Sequence, residues 1–272
     1  MEFRTIVDIP NPDFAIQPCE QMLFVGSCFA NSIGQRFKEE GFPVVVNPFG
    51  TMYNPASILH SIERCEISPR ITFLTLGTNH VYRLKETGEI VDNCEKRPQS
   101  LFTEEKLNIE ECVDYLQQAV RMLKQRNPDT HVIFTVSPIR YRKYGYHESQ
   151  LSKATLLLAV NEVVTKFKAQ DSKFKVSYFP AYEIIMDELR DYRFYASDML
   201  HPSEQAIAYI WEQLVAHYFS KEAKAFLEEW RPLKQALAHR PFNPDSEDYH
   251  ILMYKTMLKV AELRKKYNTF AL

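Results

Sequence analysis

The sequence lacks the features that mark several large classes of protein. Its formal charge is only -2, so there is no basic excess to neutralise nucleic-acid phosphates. No apolar run approaches the length of a bilayer span. The first residues, MEFRTIVDIPNPDF, contain no apolar stretch of the kind found in secretory signals. We therefore expect a cytoplasmic protein with no nucleic-acid partner and no membrane span.

Cysteine and glycine patterns exclude further classes. The five cysteines are odd in number and widely spaced, and no C-x-x-C occurs. The sequence therefore indicates neither a disulfide framework nor a zinc knuckle, and a reducing compartment fits it best. There is no glycine-rich phosphate loop, which disfavours nucleotide chemistry. We expect no metal and no cofactor.

The chain does have enough apolar material for a sizeable core, at 45% hydrophobic and 13% aromatic residues. Short apolar runs alternate with helical patterns. The predicted strands are Gln21–Val25, Pro43–Val46, Ile71–Leu76, His131–Val136 and Lys175–Phe179, with a hairpin over Val81–Lys85 and Ile90–Asn93. The predicted helices are Ser32–Glu40, Ala56–Cys65, Thr103–Gln125, Leu151–Lys168, Ile184–Leu189 and Ser203–Tyr218.

This alternation predicts the fold class and the division of the chain. Strands that alternate with helices form parallel crossovers, so we expect a three-layer α/β/α fold with a mainly parallel, doubly wound sheet. Beyond Ser220 no strand pattern returns, and helices are predicted at Glu222–Ala238 and Glu247–Tyr267. The prediction is an α/β domain over residues 1–219 and a helical extension, packed on it, over residues 220–272.

The most informative segment is the corner Gly26-Ser27-Cys28. It lies between the first predicted strand and the first predicted helix. A sharp strand-to-helix turn presents a small nucleophile at the positive end of the helix. A thiolate is favoured there, which makes such a cysteine more reactive than a free one.

Polar residues also follow the other predicted strands. Gly50 comes after the second strand, Asn79 after the third, and the pair Asp198 and His201 after the last. In an open parallel sheet, ligands collect outside the carboxyl ends of the strands. We therefore expect these residues and Cys28 to lie along one edge.

Each residue in this set has a chemical role available to it. We expect His201 either to accept the proton of Cys28 or to stabilise its thiolate, and Asp198 to fix the imidazole tautomer. Gly50 and Asn79 offer N–H donors to an oxyanion, as does the backbone of Cys28. Structural interpretations stay open as well. Gly50 suits a positive φ, Asn79 suits a loop cap, and a free cysteine is commonly an inert buried thiol.

Several motifs taken in order resemble a known family, the GSCFA family, within the SGNH (GDSL-like) hydrolase superfamily. They span almost the whole chain and are GSCFA at 26–30, Asn47 to Pro55, Gly77-Thr78-Asn79, Thr135-Val136-Ser137-Pro138, Ser152-Lys153-Ala154, Asp191 to Tyr195 and His239-Arg240-Pro241-Phe242. The resemblance implies a flavodoxin-like fold of the SGNH hydrolase type. It also implies that Gly50 and Asn79 match the oxyanion residues, and that Asp198 and His201 match the catalytic dyad.

At the corner the chain departs from the superfamily pattern. Gly26 matches the glycine of Gly-Asp-Ser, Ser27 stands where the aspartate is usual, and Cys28 stands where the nucleophilic serine is usual. The resemblance thus implies an acyl-ester or thioester hydrolase, or an acyltransferase, acting on a small-molecule or carbohydrate-type substrate. Ser27 is the fallback nucleophile. The alternatives are an inactive binding protein that retains the pocket, or a scaffold with an interface on its C-terminal helices.

Two further residues are candidates for substrate binding. Arg140 lies beyond the end of a central strand, where a guanidinium suits a carboxylate or phosphate. Glu183 lies in a stretch of mixed charged and aromatic residues, between Tyr178 and Tyr195, that suits a polar substrate group. Surface solvation and structural salt bridges are the competing interpretations for both.

Overall fold

The chain folds around two sheets. The computed structural model describes residues 4–92, 94, 97–170, 175–267 and 270–271. Along these residues the strands are β1 (Met22–Gly26), β2 (Val44–Val46), β3 (Ile71–Leu76), β4 (His80–Leu84), β5 (Ile90–Val91), β6 (Phe102–Lys106), β7 (His131–Val136) and β8 (Lys175–Tyr178). The main sheet has the order β2-β1-β3-β7-β8 and is parallel throughout, which is the flavodoxin-like order. The predicted doubly wound fold is confirmed.

Helices cover both faces of this sheet. They are α1 (Cys28–Glu39), α2 (Pro55–Arg64), α3 (Ile109–Arg126), α4 (Tyr146–Gln170), α5 (Ala181–Glu183, continued by a π-helical stretch over Ile184–Leu189), α6 (Glu204–Tyr218), α7 (Lys221–Ala238) and α8 (Glu247–Lys266). Side chains alternate along β1, because successive residues of a strand point to opposite faces. Met22 and Phe24 join the core with α1 and α6, whereas Leu23 and Val25 join the core with α2, α3 and α4.

The second sheet is a three-stranded antiparallel lobe of order β5-β4-β6. The hairpin prediction is met by β4 and β5, although its last residue, Asn93, lies outside the described residues. The predicted helix start at Thr103 is wrong, because residues 102–106 pair with β4 instead. The helix begins only at Ile109, after a capping box in which Asn108 and Glu111 bond each other's backbone N–H groups.

The C-terminal helices extend one of the two cores. Phe226 and Trp230 of α7 and Val260 and Leu263 of α8 belong to the same apolar cluster as α1 and α6. The indole N–H of Trp230 also donates to the carbonyl of Glu39 at 3.1 Å. None of the helices in the described part of the chain combines the length and apolarity that a bilayer span requires.

The parallel register brings several strand ends to the same edge. Gly26 at the end of β1 pairs with Thr75, and Leu76 at the end of β3 pairs with Val136 at the end of β7. Gly26 has a φ of 146°, and a Cβ there would lie 2.1 Å from the Thr75 carbonyl oxygen. Only glycine permits this close approach of β1 to β3 at the corner.

Candidate active site

The corner after β1 places two small side chains in different environments. Ser27 caps α1: its Oγ accepts the backbone N–H of Phe29 at 3.3 Å, and the residue is only 2% exposed. Cys28 is the first residue of α1 and is partly exposed. Among the described residues, its backbone N–H has no hydrogen-bond acceptor. Of the two side chains at the corner, the Cys28 thiol is therefore the more accessible.

The Cys28 thiol contacts a residue that sequence reasoning gave no role. Its Sγ lies 3.6 Å from the hydroxyl oxygen of Tyr53. Burial raises the pKa of the Tyr53 phenol, and the hydrogen bond with Cys28 raises it further, so the phenol is neutral. The sequence pointed to Tyr53 only through its position in the run Asn47 to Pro55, which follows β2 directly.

The loop that carries Tyr53 is tied to the corner by an asparagine in the left-handed region. Asn47 has a φ of 42°. Its Oδ1 accepts the N–H of Gly26 at 2.8 Å, and its Nδ2 donates to Asn31 Oδ1 at 2.7 Å. Further along, the carbonyl of Tyr53 accepts the N–H groups of Gly77 and Thr78, both at 2.8 Å. The loop therefore bridges the ends of β1 and β3.

Both predicted oxyanion donors are engaged by loop carbonyls. The N–H of Gly50 donates to the Asn47 carbonyl at 2.9 Å, and this glycine is exposed with a φ of 92°. Asn79 is buried, and its Nδ2 donates to the Leu107 carbonyl at 2.7 Å. Its backbone N–H donates to Ser152 Oγ at 2.9 Å. An amide carries two N–H groups, so Asn79 retains one donor, whereas Gly50 retains none.

Asp198 and His201 form the pair that the spacing predicts. Asp198 Oδ2 lies 2.6 Å from His201 Nδ1, and Oδ1 accepts the backbone N–H groups of Leu200 at 2.9 Å and His201 at 3.0 Å. These contacts, the backbone ones most strongly, hold the pKa of Asp198 at about 2. The carboxylate is therefore ionised and accepts only, so the proton of the contact lies on Nδ1, and in the neutral imidazole the lone pair is on Nε2. Both side chains are 44% exposed.

The thiol and the imidazole are not joined directly. Within the described part of the chain, no hydrogen bond links the Cys28 thiol to His201, and the thiol's partner is Tyr53. Their elements are neighbours, since α1 packs against α6, which starts three residues after His201.

Arg140 supports the loop that carries His201. Its backbone N–H donates to the Leu200 carbonyl at 3.0 Å, and its Nη1 donates to the Met199 carbonyl at 3.1 Å. Its guanidinium lies 4.2 Å from the ring centre of Tyr146. The predicted substrate-binding arginine thus borders the Asp198–His201 loop.

Glu183 lies elsewhere. Both its carboxylate oxygens accept from the Tyr178 hydroxyl, at 2.9 and 2.7 Å. It lines a cavity with Lys168 and Tyr218, which does not include Arg140. Burial raises the pKa of the Glu183 carboxyl. The structure therefore does not bring the two predicted substrate-binding residues together.

A buried lysine lies behind the site. Lys153 is 3% exposed, and its Nζ donates to the carbonyls of Gly77 and Ser137, each at 2.7 Å. These residues follow β3 and β7. Burial lowers the pKa of the Lys153 amine to about 7. Ser152-Lys153-Ala154 was visible as a motif, but its burial could not be read from the sequence.

No metal centre emerges from the side chains. The described residues contain no group of three or more His, Cys, Asp or Glu residues placed to hold an ion.

Two family models match the chain over most of its length. The one described as "GSCFA family" matches residues 21–69 and 67–214, and the one described as "GSCFA domain protein, C-terminal domain" matches residues 230–272. No curated protein matches it.

Solved structures that resemble the chain include three described as follows. A putative platelet activating factor from Streptococcus pneumonia is 14% identical over 75% of this chain and 85% of its own, with a TM-score of 0.49. A putative GDSL-like lipase from Parabacteroides merdae is 12% identical over 76% of this chain and 99% of its own, with a TM-score of 0.49. A carbohydrate esterase family 3 protein from Talaromyces cellulolyticus is 12% identical over 77% of this chain and 99% of its own, with a TM-score of 0.44.

Proposed function

The chain belongs to the GSCFA family, and we propose that its site is that of an SGNH-type acyl-ester or thioester hydrolase or acyltransferase. Cys28 is the nucleophile, His201 the base, and Asp198 the residue that orients the base. The substrates are acyl esters or thioesters of small molecules, carbohydrates included. The observation that carries the proposal is the Asp198–His201 pair, held at 2.6 Å beside the carboxyl edge of the sheet.

The pair is built as a catalytic base requires. An ionised Asp198 keeps a proton on Nδ1, so in the neutral imidazole it is Nε2 of His201 that can accept a proton. Asp198 also bonds the backbone of Leu200 and His201. The imidazole is therefore fixed in tautomer and orientation while remaining open to a substrate.

Cys28 is preferred to Ser27 as the nucleophile because the two side chains differ in burial and in hydrogen bonding. The Ser27 hydroxyl is buried and caps α1, and its loss would leave the N–H of Phe29 without this acceptor. The Cys28 thiol is partly exposed and lies on the first residue of α1, so it can meet a substrate without loss of the helix cap.

The reaction follows from these positions. The sulfur of Cys28 attacks the acyl carbonyl carbon, and its proton passes to Nε2 of His201. The carbonyl π electrons move onto oxygen, forming a tetrahedral oxyanion. Collapse expels the alcohol or thiol, which takes the proton from His201, and leaves a thioester on Cys28. Water or an acyl acceptor then releases the acyl group by the same steps.

The backbone N–H of Cys28 is the main oxyanion donor in this proposal, since no described residue accepts it. The second amide N–H of Asn79 supplements it. Gly50 contributes only after its N–H leaves the Asn47 carbonyl. Glu183 has no part in the proposal, because Tyr178 engages its carboxylate.

One observation favours a second candidate, an inactive binding protein that retains the hydrolase pocket. Among the described residues the thiol bonds Tyr53 rather than His201. Catalytic hydrogen bonds often tighten only in the substrate complex, so this geometry is compatible with either function. Reactivity and turnover distinguish them.

The first experiment measures turnover. Wild type, Cys28→Ala and His201→Gln are assayed on a panel of acyl esters and acyl thioesters, with Cys94→Ser as a control for a partly exposed cysteine. We expect both site variants to lose roughly 10³-fold or more in kcat/KM, and the control to retain activity. Undiminished turnover by Cys28→Ala would refute the assigned nucleophile.

The second experiment measures the thiol itself. Iodoacetamide labelling near neutral pH is followed at each cysteine by mass spectrometry. We expect Cys28 to react faster than Cys94 and to slow in His201→Gln. A Cys28 that reacts no faster than a free thiol, together with no turnover on the panel, supports the binding protein instead.

A further inference from the structure

A cavity of about 260 Å³ lies beside the His201 loop. Arg140 forms part of its wall and bonds the carbonyls of Met199 and Leu200. Tyr195 forms another part, and the next residue's N–H donates to the His201 carbonyl at 2.7 Å. Two residues of the cavity wall, Arg140 and Tyr195, are thus bonded or directly joined to the loop that carries the proposed base.

The cavity carries an excess of positive charge. Arg140 and Arg190 both line it, and neither forms an ion pair among the residues described. Of the described residues that line the cavity, Asp191 alone carries a carboxylate. Its Oδ2 accepts from the Arg193 guanidinium and its Oδ1 from the Arg193 N–H, both at 2.9 Å. Arg193 therefore neutralises Asp191 from outside the wall, which leaves two guanidinium groups without a counter-ion.

Aromatic rings surround the first of these guanidinium groups. The Arg140 Cζ lies 4.2 Å from the ring centre of Tyr146, 5.5 Å from that of Tyr195 and 5.8 Å from that of Tyr192. Stacked rings fix the plane of a guanidinium and leave the N–H groups at its edge free to donate. Among the described residues, one side-chain N–H of Arg140 has an acceptor, the Met199 carbonyl.

We propose that this cavity binds the anionic group, carboxylate or phosphate, of a small ligand with a planar or ring-shaped body. Guanidinium pairs bind these anions with paired hydrogen bonds, and the tyrosine rings provide a face for the body. The inference rests on the proposed function in one respect: the ligand is taken to be the acid-bearing part of the acylated substrate. Binding itself requires no turnover.

The test measures binding of benzoate and phenyl phosphate, with benzyl alcohol as the neutral probe, by calorimetry on Cys28→Ala. We expect the anions to bind and the alcohol to bind at least tenfold more weakly. Arg190→Gln should weaken anion binding roughly 10- to 100-fold, while Arg121→Gln, an exposed arginine on α3, changes nothing. The anion that binds more tightly, benzoate or phenyl phosphate, identifies the ligand's group as carboxylate or phosphate.

A second variant pair tests the charge balance without touching Arg140. Arg193→Gln frees the Asp191 carboxylate, so it should weaken anion binding, and adding Asp191→Asn should restore it. Equal binding of the alcohol and the anions, or wild-type affinity in Arg190→Gln, would overturn the inference. Because the tested chain lacks the nucleophile, these results do not depend on whether the wild type turns over.

Discussion

Asp198 holds His201 at two points, through the imidazole at 2.6 Å and through the backbone N–H at 3.0 Å. The two contacts use different carboxylate oxygens. One contact fixes the imidazole ring and the other fixes the loop, so substitutions at Asp198 can separate the orientation of His201 from the folding of the loop.

Asp198→Asn should abolish most activity while preserving the fold. The amide oxygen still accepts the N–H groups of Leu200 and His201, but the amide no longer holds the proton on Nδ1. We expect kcat/KM to fall by roughly 10³- to 10⁴-fold, measured on the best substrate of the panel. The melting temperature should stay near that of wild type, and Asp245→Asn, in an exposed loop, is the control. Retained activity would show that the pair only shapes the loop.

Tyr53→Phe should slow the alkylation of Cys28. The neutral phenol is a donor 3.6 Å from the sulfur, and its loss removes a hydrogen bond available to the thiolate. We expect a rate roughly three- to tenfold lower at neutral pH by the labelling assay. Tyr141→Phe is the matched control, because that ring packs on Tyr53 but makes no hydrogen bond to the sulfur. An unchanged rate in Tyr53→Phe would mean that the phenol does not influence the thiol.

Lys153→Met should change how stability depends on alkaline pH. Burial lowers the pKa of the amine from 10.5 to about 7, so between these values the native state binds fewer protons than the unfolded state. The free energy of unfolding of wild type should therefore rise relative to Lys153→Met, by about 1.4 kcal/mol per pH unit. Urea unfolding from pH 7 to 9 measures it.

The control for that series is Lys166→Met, on the same helix, where the amine is exposed and pairs with Glu162. The free energy of unfolding of Lys166→Met should change with pH in parallel with that of wild type. At pH 9, where the wild-type amine is neutral, Lys153→Met is also expected to be less stable than wild type, because the carbonyls of Gly77 and Ser137 lose their donor. Parallel pH profiles for Lys153→Met and wild type would contradict a lowered pKa.

His131→Phe should make the protein less sensitive to acid. His131 is buried against Phe14, with ring centres 4.2 Å apart, and burial lowers its pKa from 6.5 to about 4. The stability that the neutral imidazole contributes is complete above pH 6.5. It is lost as the pH falls towards 4, because the unfolded state takes up the proton at a higher pH than the native state. Wild type should lose up to about 3 kcal/mol more than the variant over this interval.

The measurement is thermal or urea unfolding at pH 7 and pH 4. Phenylalanine keeps the planar ring that stacks on Phe14 and removes the titration. An equal loss of stability in both proteins would show that another group causes the acid sensitivity.

Much of the frame of this protein could be predicted from local patterns. The strands β3 and β7 match their predicted bounds, and the sheet is parallel as expected. Apolar periodicity is a property of short segments, so it identifies each element without its neighbours. The helix start predicted at Thr103 is wrong because local patterns do not include such neighbours. Thr103-Glu104-Glu105-Lys106 suits a helix locally, but pairing with β4 makes it a strand.

The sequence alone determined the fold class, the thiol at the strand-to-helix corner and the Asp198–His201 spacing, because these depend on residues close together in the chain. Only the tertiary structure decided what each group bonds. Tyr53 meets the thiol of Cys28 and Asn79 meets the carbonyl of Leu107 across at least two elements. Lys153 is enclosed by segments 16 and 76 residues away. Such partners are set by packing, so local patterns cannot assign them.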